Sequence, residues 1–478
     1  MNPADIRLVV QSGAAPQGVV PAAEDIQSNS APVANSQPPS ISAQDDEQER
    51  AQFQPALAKL QQTYALIKIG GKIWVHDQQG TVALGQLGTV QKLVFYNRSD
   101  ATLLMARTLR KEYPAANASK VLKAFFIHPN TVCHNGLEFN PAGTTAGFLN
   151  LWVGPTIAPK AGQWPLIQGF LLEVICAGNR EHYAYLIAYI AQALQRPWEK
   201  PGITLILMGG QGIGKGTLGR ILRSIWQSTY LHVYKTANVT GSFNADLERA
   251  FIVFLDEALF AGDRASSDAL KSLITEEVIH INEKHQPSRQ IKSYHRFVIA
   301  TNSEHVKHTD RDDRRDFVLR VSEARKGDAD FWLTLDAEMQ KGGIAAMAHD
   351  LLAMDLSGFN VRAKPNTGEL VEQKLLSLDP VARYWYELLQ GESRDDEEWP
   401  DFIRTEAIIR GATELAGKRL YRNPSASETV KAVLKMCPSA RKGQKQDSLS
   451  RGRGLHLPSL EVARAEFEVF IGGAVTWD

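Results

Sequence analysis

Three short apolar runs mark the middle of the chain: residues 205–208 (LILM), 251–255 (FIVFL) and 297–300 (FVIA). None alternates with polar residues, which predicts strands covered on both faces, as in a parallel sheet. The first leads into Gly209, Gly210, Gln211, Gly212, Ile213, Gly214 and Lys215, after which residues 218–225 continue at helical spacing. Strand, glycine loop and helix therefore follow one another. The second run ends in Asp256-Glu257 and the third in Thr301-Asn302. The second begins roughly 40 residues beyond the loop, a distance that predicts its return to the sheet beside the first.

The flanks divide by pattern. Residues 1–52 are rich in Ala, Pro, Ser and Gln and end in the acidic patch Asp45, Asp46, Glu47 and Glu49, so a disordered tail is expected. Residues 53–160 alternate helical stretches (51–64, 101–113, 119–126) with a hairpin pattern around Gly70 and Gly71, a small α+β unit. Residues 161–200 read as a helical collar with a break at Asn179 and Glu181 and an end at Pro197. The core that carries the glycine loop spans 201–325, and 326–395 holds two helical patterns and a charged linker, expected to cover whatever the loop binds or pack on the collar. In 396–478, helices at 403–415 and 427–436 precede a Gly/Ser/Gln-rich stretch with Arg441, Lys442, Lys445, Arg451 and Arg453, then a last helix. That order suggests a winged-helix domain whose basic wing touches phosphate, or simply a solvated loop.

The strand ends carry the chemistry. Glycines let backbone N–H groups face an anion, and the helix N-terminus and the Lys215 ammonium stabilise its charge, so Gly209 to Lys215 fits a phosphate loop, G-x-x-x-x-G-K. Gly216, Thr217 and Leu218 complete the candidate nucleotide-binding segment. Gly216 stands where Ser or Thr usually binds Mg²⁺; either Thr217 or water completes the metal shell, or the metal is held mostly from elsewhere. Carboxylates at the end of a buried strand need a partner. Asp256 is expected to hold Mg²⁺ and Glu257 to polarise the attacking water, the alternative being an acidic helix start. Asn302 could sense the γ-phosphate, although Asn at strand ends commonly makes turns.

Composition narrows the partners. The 478 residues carry 53 basic and 53 acidic side chains, so no general basic coat is available for nucleic acid, and DNA must be held by local patches. Cys133, Cys176 and Cys437 lack metal or redox spacing, which suits a reducing cytosol. No apolar run is long enough to cross a membrane and the start lacks a basic n-region, so a soluble cytoplasmic protein with no membrane partner is expected. Residues 53–160 contain no D-x-D carboxylate pair, and no primase chemistry is assigned to them.

GGQGIGKGT, FLDEA and IATN resemble motifs A, B and C of the superfamily 3 helicases, a branch of the AAA+ ATPases. The segments NLW (150–152), SFNADL (242–247), LKSLITEE (270–277) and DRRDF (313–317) are similar to those of phage and prophage primase-helicase proteins. The string GxGKGT also resembles adenylate kinases, whose loop sits at the chain start. Residues 277–294 alternate around Pro287-Ser288 and predict a hairpin. The helicase resemblance implies that this hairpin enters a ring's pore with Lys284-His285 near its tip, helped by Arg289 and Lys292, unless these are only solvated charges. It also implies an arginine finger at Arg314 or Arg315, following Arg311, unless the neighbouring aspartates pair them within the subunit.

The expectation is a Mg²⁺-dependent, ATP-driven α/β protein with an AAA+ core, a hexameric homo-oligomer that moves on single-stranded DNA and unwinds forked DNA during replication of a phage, prophage or satellite element. By resemblance it travels 3′ to 5′, and a separate primase or other replication proteins are candidate partners. The rival is an NTP-switched origin-binding or interference protein without processive unwinding; a nucleotide kinase explains Asn302 and the long flanks poorly.

Overall fold

The computed structural model describes residues 43–83, 89–91, 94–257, 264–284, 288–306, 309, 313–391, 399–417, 424–446 and 451–477. Residues 1–42, His285, Arg311 and the side chain of Arg451 lie outside the described set.

All three apolar runs become strands of one parallel sheet: β1 (Thr204–Met208), β2 (Tyr230–Val233), β3 (Ile252–Asp256), β4 (Arg296–Thr301) and β5 (Asp316–Arg320), in the spatial order β2-β3-β4-β1-β5. Each neighbouring pair is parallel. This corrects the expected neighbour of β1, because β4 and not β3 pairs with it. Apolar runs report that strands are buried but carry no pairing information, since the side chains facing the two layers are alike. Consequently Thr301 pairs with Met208 and Asp256 with Ala300, so the three chemical strand ends lie side by side with Asn302 in the middle.

The expected division into collar, core and lid does not match the packing. Helix Arg180–Gln195 is capped by Asn179, whose side chain accepts from the N–H groups of Glu181 and His182, as the break between helices required. From Tyr185 to Leu194 every residue is buried, so this helix is covered all round. Its side chains, those of Phe170 and Val174, and Leu335, Met347 and Leu351 from beyond the sheet share one core with β1 and β3. Likewise Pro380–Gln390, part of the second helical pattern expected in 326–395, belongs to the C-terminal unit: Trp385 is fully buried with Ile408, Val433, Leu455 and Phe467. That unit runs strand Phe402–Arg404, helices Thr405–Ala416 and Ala426–Met436, hairpin Arg441–Gln446 with Arg451–His456, then helix Leu460–Ile471. The basic stretch is thus a regular antiparallel hairpin, with the exposed Arg441, Lys442 and Arg453 on its strands.

At the other end of the chain, helix Ala43–Thr63 starts inside the stretch expected as tail. Within that stretch its anchors are polar. Glu49 pairs with Lys120 at 2.8 Å and the Gln52 side chain accepts from the N–H of Ala115 at 3.0 Å. The helix packs Leu57 and Leu60 against Met105, Leu109, Val121 and Phe125.

The two hairpin strands, Val278–Ile281 and Arg289–Lys292, are antiparallel as expected and are tied to the chain just before β3. Asn244 donates to His280 O at 3.0 Å and accepts from Asn282 N at 2.8 Å. Beyond the second strand, His295 is 3% exposed and sits between Ser293 Oγ and Leu247 O, each at 2.7 Å. A carbonyl only accepts, so Nε2 carries the proton and Nδ1 accepts from the serine, leaving the ring neutral. Burial pushes its pKa down to about 4 from 6.5. In that interval the unfolded chain binds more protons, so the stability is whole above pH 6.5 and is lost as pH falls through about 4. The loss reaches roughly 3 kcal/mol. Thermal unfolding between pH 7.5 and pH 4 should show a shallower acid slope for His295→Gln than for wild type, and equal slopes would refute the assignment.

Candidate functional site

The C-terminal ends of β1, β3 and β4 open into a cleft of about 480 Å³ lined by Gln211, Gly212, Gly214, Lys215, Gly216 and Thr217, with Asp256, Glu257 and Asn302 facing them. Gly214 has φ +105° and opens helix Lys215–Ile225. A Cβ there would stand 2.7 Å from Trp332 Cη2 and 3.0 Å from Phe170 Cε2, so both backbone angle and space demand glycine. Ile213 and Leu218, included above in the nucleotide-binding segment, direct their side chains into the core, 1% and 0% exposed; they shape the loop through the backbone alone.

Lys215 is 8% exposed. Its ammonium donates to Gly209 O at 2.6 Å, Gly210 O at 2.5 Å and Asn302 Oδ1 at 2.7 Å, which uses all three of its protons. Burial lowers its pKa against the opposing influence of Asp256, Glu257 and Glu323. A charged phosphate oxygen is a stronger acceptor than a carbonyl, so these bonds are exchangeable for a better partner. Asn302 passes the contact on, donating from Nδ2 to Glu257 Oε1 at 3.3 Å. Glu257 itself has φ +55°, one of two non-glycine residues with positive φ among those described. Such a backbone is strained by about 1–3 kcal/mol and clusters at working sites. Beside it, Asp256 Oδ2 lies 3.2 Å from His232 Nε2.

Three residues in or beside the cleft escaped the sequence reading. Arg220 bonds Thr217 Oγ1 at 3.3 Å and Asp336 at 2.8 Å. Its spacing from Thr217, one helical turn, was a usable signal. Trp332 closes the far wall, held by its indole N–H on Arg325 O at 2.9 Å, and His232 arrives on β2. Neither is near the loop in sequence, so nothing local marked them.

The proposed arginines stand elsewhere. Arg314 and Arg315 precede β5, whereas Lys215 follows β1, and the two strands are parallel and in register. They are therefore at opposite ends of the sheet, roughly 16 Å apart along a five-residue strand, and cannot reach their own chain's cleft. Arg314 is exposed; Arg315 approaches Asp313 at 3.6 Å, while its Nε is buried without a partner.

The candidate DNA residues separate too. Lys284 is exposed at the turn after the first hairpin strand. Arg289 is committed inside the chain: Nε and Nη2 each meet a Glu248 oxygen at 2.6 Å, and Nη2 meets Glu283 at 3.1 Å. This corrects its assignment to DNA, since a fork satisfied by carboxylates has little left for phosphate. Lys292 pairs with Val278 at the hairpin's base, 5.4 Å over the Tyr294 ring, and so is not at the tip. In the C-terminal hairpin Lys445 is paired with Asp401 at 2.9 Å.

Comparison with known proteins bears on this cleft. Residues 207–315 match the model of a family of unknown function, DUF5906. The matched span begins in β1 and ends at Arg315, so it includes Lys215, Asp256, Glu257 and Asn302 of the cleft as well as Arg314 and Arg315. Over 205 residues the chain is 27% identical to the DNA primase-polymerase of Nitratiruptor phage NrS-1, a match that takes in 42% of this chain and 28% of that protein. The match thus spans little more than a quarter of the curated relative's length. In structure, the chain resembles the apo C-terminal region of NrS-1 with TM-score 0.60 at 16% identity, over 84% of this chain and 98% of that one. A second structure of that region, its A form, gives TM-score 0.60 at 15% identity with the same coverage. The two therefore share a fold. Among the described residues no helix is long and apolar enough to cross a membrane.

Proposed function

We propose that this chain is a phage replication protein whose AAA+ cleft hydrolyses ATP and whose hairpin and C-terminal winged-helix unit act on DNA, in a ring of identical subunits, six by resemblance to superfamily 3 helicases. The observation that carries the reading is the convergence of Lys215, Asn302, Glu257 and Asp256, from three separate strands, on one cleft. Similarity to a phage DNA primase-polymerase supports the replication setting, and likeness to the C-terminal region of NrS-1 points to that part of such a protein.

In this reading the loop's N–H groups and Lys215 hold the β- and γ-phosphates. Asn302, bonded to both Lys215 and Glu257, links phosphate contact to the base. Glu257 takes a proton from the attacking water. Mg²⁺ is the implied cofactor, and the residues fit it: Asp256 and Thr217 present oxygens on the cleft wall, and one or two carboxylates completed by substrate phosphates is the usual Mg²⁺ set. Bound there, it would neutralise phosphate charge. Arg314 and Arg315 serve the cleft of a neighbouring subunit. Movement reaches DNA through a short path, because Asn244 and Glu248, which hold the two hairpin strands, lie just before β3 and its Asp256. The exposed Lys284 then grips a backbone phosphate without reading sequence.

The C-terminal unit favours a second reading, an origin-binding switch, because the exposed Arg441, Lys442 and Arg453 share one hairpin. One experiment separates the two. Purified chain is given ATP and Mg²⁺ with and without single-stranded DNA, and a labelled forked duplex is followed in parallel. Hydrolysis stimulated by DNA with strand displacement, both removed by chelating the metal, is expected. Hydrolysis without displacement would favour the switch, and no hydrolysis would end the nucleotide reading.

A further inference from the structure

At the edge of the sheet opposite the cleft lies a second cavity, of about 490 Å³, lined by Gly202, Ile203, Thr275, Arg314, Arg315 and Arg362. Three of its six lining residues are arginines and none is acidic. Among the described residues, neither Arg314 nor Arg362 forms an ion pair. Guanidinium groups stay charged at every accessible pH; Asp313, 3.6 Å from Arg315, offsets one of them, and the charge left on Arg314 and Arg362 in a concave site is relieved by water or by an anion that enters. No local pattern marked Arg362, which lies far along the chain from the other two.

The geometry holds Arg362 in place for such a task. Its turn is closed by Asn360, whose side chain accepts from the Arg362 N–H at 3.0 Å. The Tyr185 hydroxyl donates to Val361 O, and the Tyr185 ring packs edge-on against Phe317 at 4.6 Å. Phe317 sits in β5, two residues beyond Arg315. The arginine turn and the start of β5 are therefore fastened to the same buried tyrosine, 6% exposed. Backbone positions fixed in this way let flexible side chains converge on one anion with little ordering left to do.

We propose that Arg362 acts with Arg314 and Arg315 as a three-arginine site for the triphosphate held in the cleft of a second copy of this chain. The proposal rests on the nucleotide reading given above. Because the arginine cavity and the cleft are at opposite ends of the sheet, one copy's cavity meets another's cleft only in a head-to-tail contact, which is the contact that closes rings. A third cavity, of about 300 Å³, shares Gly202, Thr275 and Arg362 and continues past Glu199 and Glu277 to Lys292 and Ser293 at the base of the hairpin. The neighbour's phosphate thus adjoins the element that would touch DNA.

Subunit mixing tests this on the full chain. Arg362→Ala alone should lower ATP hydrolysis by at least ~10-fold with an unchanged melting temperature, since the residue is exposed. Lys215→Ala alone should be inactive. Mixed in equal amounts and reassembled, the two should recover activity, because about a quarter of head-to-tail interfaces join an intact cleft to an intact arginine cavity. Arg362→Lys should recover part of the loss, as it keeps the charge and loses the fork. If Arg314→Ala, Arg315→Ala recovers on mixing with Lys215→Ala and Arg362→Ala does not, Arg362 has no role across the interface and the proposal fails. Failure of both mixtures would overturn the composite site, while loss of wild-type hydrolysis in Lys215→Ala would still uphold the cleft. If Arg362→Ala instead weakens single-stranded DNA binding without nucleotide, the phosphate it holds belongs to DNA and the proposal is overturned.

Discussion

Replacing Lys215 by alanine is expected to lower the proposed ATP hydrolysis by at least ~10²-fold, the scale on which single preorganised charge donors act. The ammonium is buried and bonded to two loop carbonyls and to Asn302, whereas Arg220, the other cation lining the cleft among the described residues, is held by Thr217 and Asp336. Fluorescent-nucleotide titration should show weakened binding as well as lost turnover, because the phosphate contact exists before and during the reaction. Folding should not suffer. Burial lowers the pKa of Lys215, which means that the folded chain disfavours its charge, so its removal relieves an unfavourable burial. A melting temperature unchanged or raised is expected. A variant that still hydrolyses ATP at the wild-type rate would place the chemistry elsewhere, and a variant that unfolds would make Lys215 a structural residue.

Glu257→Gln has the other large effect, and it separates binding from chemistry. The amide keeps the shape and can still accept from Asn302 Nδ2, the contact seen at 3.3 Å, while it can no longer take a proton. Hydrolysis should fall by about 10²- to 10⁴-fold, as for loss of a general base, with nucleotide affinity retained. Single-turnover measurement beside equilibrium binding checks both halves. Equal loss of binding and rate would mean that Glu257 holds the nucleotide or the loop. The strained backbone at φ +55° also predicts that stability tolerates change here, since residues kept against local preference are kept for function.

Both predictions concern residues that were legible before any coordinates, and for a physical reason. A buried strand, a glycine turn and a helix start are local features, each fixed by the conformational freedom and burial of a few consecutive residues. Gly214 with its positive φ and Asn179 as a helix cap are of that kind, and both stand where the pattern put them. Arg289 shows the limit. On a hairpin it reads as a free cation, yet Glu248, brought close by the fold, already holds it.

The amino-acid sequence by itself determined the strand ends and the residues they carry: Lys215, the Asp256-Glu257 pair and Asn302, together with the hairpin and the order of helices that follow. Only the tertiary structure decided which strands are neighbours, and hence that Asn302 stands between the loop and Glu257. It also decided that the expected collar shares the sheet's core, that Trp332 and Arg220 complete the cleft with His232 behind Asp256, and that Arg362 joins Arg314 and Arg315 at the opposite edge. Periodicity and turn chemistry act over a few residues, whereas strand order and converging charges depend on contacts between segments far apart in the chain, which no local pattern encodes.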